Sequence, residues 1–92
     1  MNPRVTSVTP QEGYKLKVYF SNNEIGLFDC SKFLNIGVFK ELRDIHYFNQ
    51  VKALGGTVVW PHEQDFCPDT VYLDAVPHVE QDAAKDADKR RR

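Results

Sequence analysis

Apolar and polar residues alternate most cleanly where Tyr14, Leu16, Val18 and Phe20 interleave with Lys15, Lys17 and Tyr19. Successive side chains of an extended chain point to opposite sides, so a period of two predicts a strand with one buried face and one wet face. Upstream, Arg4 to Thr9 reads as a first strand, ended by the turn formers Thr9-Pro10-Gln11-Glu12-Gly13. Downstream, Ser21-Asn22-Asn23 suits a tight turn, because Asn visits left-handed backbone geometry more readily than most residues. It closes a hairpin onto Ile25 to Cys30. The expected unit is a three-stranded antiparallel meander.

From Ser31 the period changes. Phe33, Leu34, Val38, Leu42 and Ile45 recur at spacings of three or four, which places them on one side of a helical segment interrupted at Asn35-Ile36-Gly37. A short turn, a break at Gly37 and a helix from about Val38 to Asp44 are expected, with Phe39 and Phe48 extending the apolar surface. Val51 to Leu54 and Thr57 to Trp60 flank Gly55-Gly56, and a Gly-Gly link fits the turns that join antiparallel strands, so this stretch reads as a second hairpin. The predicted fold is α+β: meander, short helix, second hairpin and terminal helical turn, in the order β-β-β-α-β-β.

The segment Thr57 to Tyr72 is the most uneven in composition, with the only tryptophan, two of the five prolines and three acidic side chains. Pro61 cannot donate to a ladder and ends the strand that Trp60 completes. Pro68 suits the first position of a helix, and Asp65 or Asp69 is placed to accept the exposed amides of its first turn and to favour its dipole. Val71, Tyr72 or Leu73 would dock that turn on the core. A capped packing corner is the structural reading. The functional reading makes Trp60, His62, Asp65, Asp69 and Tyr72 an interaction surface.

Composition narrows the function classes. The 92 residues are 41% apolar and 12% aromatic with a net charge of -1, the profile of one globular domain with a core built on rings. A domain of this size buries roughly two thirds of its unfolded surface, so any site shares residues with the core. Residues 1–77 carry seven Lys and Arg against nine Asp and Glu, whereas 78–92 carry five against four and only Val79 and three alanines as apolar residues. The expected division is an α+β domain over 1–77 and a polar, disordered tail with a basic tip over 78–92. No run approaches the roughly 20 apolar residues of a membrane span, and the first residues lack the apolar core of a secretory signal. A cytoplasmic protein with no membrane partner is expected, with Cys30 and Cys67 as reduced, buried thiols.

Candidate chemistry is sparse. Glu63, Asp65, Asp69 and Asp74 offer hard oxygens and His62 and Cys67 softer ligands, yet no zinc or calcium spacing organises them. Cys67, His62 and Asp65 can be nominated as a nucleophile, base and orienting group, but the acidic neighbours disfavour a thiolate. Gly55-Gly56 lacks the downstream Lys of a phosphate loop. No catalytic residue, cofactor or metal is expected. For nucleic acid, Lys15, Lys17 and Tyr19 on the wet strand face and Arg90, Arg91 and Arg92 at the basic tip are the candidate contacts. Alternating Lys on a strand also serves solubility and edge protection.

The GYKLKVYF strand, the hairpin into GLFDCSKFL, the GVFKELRD segment and the spacing of Trp60-Pro61, Asp65, Pro68-Asp69 and Tyr72 resemble the bacterial family known as domain of unknown function 2442. The resemblance covers about Val5 to Tyr72. It implies a small protein without an assigned activity, a relative of proteins that in some cases carry a helix-turn-helix domain, and a partner of another small protein in arrangements like toxin and antitoxin pairs. Twenty mostly polar residues after Tyr72 leave no room for a helix-turn-helix. The expected function is therefore a protein-interaction module that pairs with a small protein or with itself, nucleic-acid regulation being the alternative.

Overall fold

The alternating segment lies at the centre of an antiparallel sheet in the computed structural model, which describes residues 2–78. Strands β1 (Val5–Gln11), β2 (Lys15–Phe20) and β3 (Ile25–Asp29) form the expected meander. Leu16, Val18, Phe20 and Phe28 point into the core, while Lys15, Lys17 and Tyr19 share the opposite face. β1 runs past Thr9 to Gln11, so Pro10 lies within the strand rather than in the turn after it. A proline is tolerated there because β1 is the outermost strand of its sheet. Tyr14 belongs to the turn, at φ 61, and its ring still packs edge-on to Phe48 at 5.3 Å.

A fourth strand, absent from the expected order, completes the sheet as β1-β2-β3-β6. It is β6 (Val76–Pro77), paired to Gly26 and Leu27 of β3. The second hairpin forms as predicted from β4 (Lys52–Leu54) and β5 (Thr57–Val59). Gly55 and Gly56 have φ of 62 and 83, geometry that glycine adopts at little cost. The hairpin is fastened to the meander by the Val5 amide, which donates to the Gly56 carbonyl at 2.9 Å.

The expected α-helix over Val38 to Asp44 is instead a 3-10 helix, Gly37–Arg43, followed by one α-turn, α1 (Ile45–Phe48). A 3-10 helix has three residues per turn, so positions three apart eclipse. Phe39 and Leu42 therefore face inward together, whereas Val38, one position off that row, is 67% exposed. Asp44 caps α1, its Oδ1 accepting from the His46 amide at 3.0 Å. α2 (Pro68–Asp74) starts on a proline as read, with Val71 fully buried. No side chain caps its amides, so neither Asp65 nor Asp69 accepts them, but Asp69 does lie in the first turn, where its charge favours the helix dipole.

Rings dominate the core. Phe66 stacks on Phe39 at 4.7 Å and meets Phe28 and Trp60 edge-on, and Trp60 adjoins Phe48. Burying each such side chain contributes about 2 kcal/mol or more, which is how a domain this small holds a core.

Candidate functional site

The Trp60 corner is a closed loop rather than a surface. The Trp60 amide donates to the Gln64 carbonyl at 2.9 Å, Glu63 turns the chain at φ 75, and Val59 bridges to Asp65. Trp60 itself is 2% exposed and donates its indole N–H to the Phe48 carbonyl at 2.9 Å. A ring that size, with its one donor satisfied inside, packs as core. It leaves the proposed interaction surface.

Around that loop sits a polar network which the sequence did not announce. Gln64, 4% exposed, donates through Nε2 to the Val38 carbonyl at 3.1 Å and to Glu41 Oε1 at 2.8 Å. Its Oε1 accepts from the Tyr47 hydroxyl at 2.6 Å, and that hydroxyl accepts from the His62 amide at 2.8 Å. His62 stacks on Tyr47, ring centres 5.0 Å apart, and its Nδ1 lies 2.7 Å from Glu41 Oε2. The network ties the 3-10 helix, α1 and the corner loop together. Every polar atom of the buried amide is thereby used, which is what a buried amide requires.

The remaining members of the predicted surface separate. Asp65 and Asp69 are exposed, the latter 3.3 Å from the Asn2 amide group, and Tyr72 lies half-buried on α2. Cys67 is exposed at the start of α2, not buried as expected, because the position before Pro68 holds extended backbone outside the core. Cys30 is buried, and loss of water around it, with Asp29 adding repulsion, pushes its thiol up to about 12. No group of three or more His, Cys, Asp or Glu able to hold a metal occurs among the described residues.

The predicted nucleic-acid contacts on β2 do share one face. Lys15 stands opposite Asp29, Lys17 opposite Leu27 and Tyr19 opposite Ile25, with the Lys17 ammonium 5.6 Å from the Tyr19 ring centre. Asp29 is held below the usual carboxylate range by hydrogen bonds from the Ser31 hydroxyl and amide, then by the nearby lysines. It sets a negative charge beside Lys15. Arg90, Arg91 and Arg92, and the predicted tail from residue 79 onward, lie outside the described residues.

A pronounced concavity lies elsewhere, between α2 and the β2-β3 hairpin. This groove of about 520 Å³ has Phe20, Ile25, Leu73 and Pro77 among its apolar walls. Tyr72, Glu24, Asn23 and His78 supply its polar lining. The Tyr72 ring stands perpendicular to Phe20 at 5.0 Å, and its hydroxyl donates to Glu24 Oε1 at 2.6 Å. Asn22 Nδ2 donates to the same oxygen at 2.9 Å. These bonds, Tyr72's first, lower the proton affinity of Glu24, and the Glu24 carboxylate in turn raises that of Tyr72.

Gly26 allows α2 to end against the sheet, since a Cβ there would lie 2.8 Å from the Ala75 Cβ. Of the predicted surface residues the groove includes Tyr72 alone. The legible signal was Gly26, because a glycine inside a strand pattern marks a close backbone approach.

With that geometry in place, comparison finds a match between residues 5–77 and a family model described as Protein of unknown function (DUF2442). Neither the curated proteins nor the solved structures provide a match to the chain. Among the described residues no helix is long and apolar enough to cross a membrane.

Proposed function

The chain belongs to the DUF2442 family, and on that premise we propose that it is a protein-interaction module, without catalysis of its own, that docks a small protein. One observation carries this reading: apolar side chains left in water gather about the groove. Leu73, 69% exposed, stands in the groove wall with exposed Pro77 and half-buried Ile25. Neighbouring exposed apolar residues around a concavity mark binding surfaces more often than residues scattered singly. The sheet also favours docking by a face over docking by strand addition. Both of its outer strands carry a proline, Pro10 in β1 and Pro77 in β6, and a proline has no N–H to offer a further strand.

The nucleic-acid reading has less support, because Asp29 offsets Lys15 on the face it would use. Tagged full-length protein recovered from its native host tests the proposal. A small protein should co-purify in stoichiometric amount with the wild type. A monomer in light scattering, with no partner recovered, would count decisively against it.

A further inference from the structure

We propose that the groove between α2 and the β2-β3 hairpin receives a segment of a partner protein that carries a Lys or Arg beside an aliphatic or aromatic side chain. This rests on the interaction reading above and narrows it to a site and a chemistry. The walls supplied by Phe20, Leu73 and Pro77 take an apolar side chain. The polar character at Glu24 and Tyr72 is that of an acceptor. Tyr72 has committed its only proton to Glu24 and has no further donor to offer, and Glu24 is a carboxylate whose two side-chain donors both fall on Oε1, leaving Oε2 as the acceptor.

Among the described residues no cation pairs with Glu24. An occupant must then bring donors and positive charge. Anionic or purely apolar segments would leave this carboxylate without a counter-charge at the contact, a mismatch that disfavours them.

The groove does not stop at Glu24. A second trough of about 310 Å³, reaching to Thr6 and Ser7, shares Phe20, Asn23, Glu24 and Ile25 with it. Two concavities on either side of one hairpin turn suit a run of several residues better than a compact small molecule. Strand addition is disfavoured at this border by Pro77, so side chains rather than backbone ladders would supply the contacts.

A phage-displayed library of random twelve-residue peptides, panned on the full-length protein, tests this. Selected peptides should share a Lys or Arg within three positions of a Leu, Ile, Phe or Trp. Glu24→Gln should weaken a selected peptide about fivefold, the scale of an exposed charge pair, and Leu73→Asp should abolish its binding. Both positions lie outside the core, so these variants should keep the wild-type circular dichroism.

Enrichment of sequences without a cation, affinity indifferent to Glu24→Gln, or no enrichment at all would overturn the proposal. So would a consensus matching the chain's own residues 79–92, or a dimer in sedimentation that Leu73→Asp dissociates. If those results came with a host partner still held by the Leu73→Asp variant, the groove proposal alone would fail and the interaction reading would survive.

Discussion

Replacing Tyr47 by Phe removes one oxygen from the interior and leaves the ring stacked against His62. That oxygen serves two partners: it donates to Gln64 Oε1 at 2.6 Å and accepts from the His62 amide at 2.8 Å. The two losses differ in cost. The amide belongs to an exposed residue and can turn to water, whereas Gln64 is 4% exposed and its carbonyl oxygen would be left without a donor. An unsatisfied buried polar group costs about 1–3 kcal/mol, and a value near 2 kcal/mol is expected here. In a domain of this size that lowers Tm by roughly 8–16 °C.

Gln64→Met should cost about as much, since it strands the Tyr47 hydroxyl and the Val38 carbonyl. The double variant has no hydroxyl to strand, so it should be more stable than the sum of the singles implies by about 1 kcal/mol. Urea unfolding followed by far-ultraviolet circular dichroism, on all four proteins, reads the cycle. A Tyr47→Phe protein within about 0.5 kcal/mol of wild type, the ordinary range for a surface change, would refute the reasoning, and so would strict additivity.

Gly26→Ala should destabilise by about 1–3 kcal/mol, the usual range for overpacking, because the new Cβ would meet the Ala75 Cβ at 2.8 Å. Adding Ala75→Gly should recover part of that loss in the same unfolding assay. Glu63→Gly should leave stability unchanged or raise it by up to about 1 kcal/mol, since Glu63 holds φ 75 and only glycine does so without a Cβ penalty; a clear loss would show that the Glu63 side chain matters.

Acid titration should reveal Glu24 and Asp29. Their folded proton affinities lie below the ordinary values of 4.5 and 3.8, so their stabilisation is full above those values and disappears as pH falls through the lower folded ones. Cys30 behaves oppositely. Raised from 9.0 to about 12, it favours the fold below pH 9 and withdraws that support as pH climbs toward 12. At 1.36 kcal/mol per decade of proton affinity the loss is about 4 kcal/mol, and a Cys30→Ala protein should lack that alkaline slope.

Strands were legible from the sequence because their signal is local. The period of two at Tyr14 to Phe20 and the pair Gly55-Gly56 each specify backbone geometry without help from distant residues. The 3-10 helix was read with the wrong pitch, since spacings of three and four fit 3.6 residues per turn as readily as three over so short a run. β6 has two residues and two ladder partners, too little to leave a pattern.

The site divides along the same line. Tyr72 stood out in the spacing of the corner, but Glu24 is an ordinary turn residue until α2 brings a hydroxyl to it from 48 positions away. Gln64 looked like one more polar residue in an acidic loop. Its burial follows from Glu41, Val38 and Tyr47 arriving around it, and no local rule places them there.

The lone tryptophan has a practical meaning. Sealed within the interior and outside the lining of the groove, Trp60 is an intrinsic optical probe whose emission should shift to the red when the domain unfolds. A ligand seated against Tyr72 should leave that emission almost unchanged. A single fluorescence trace can therefore separate variants that have lost the fold from variants that have lost only their partner.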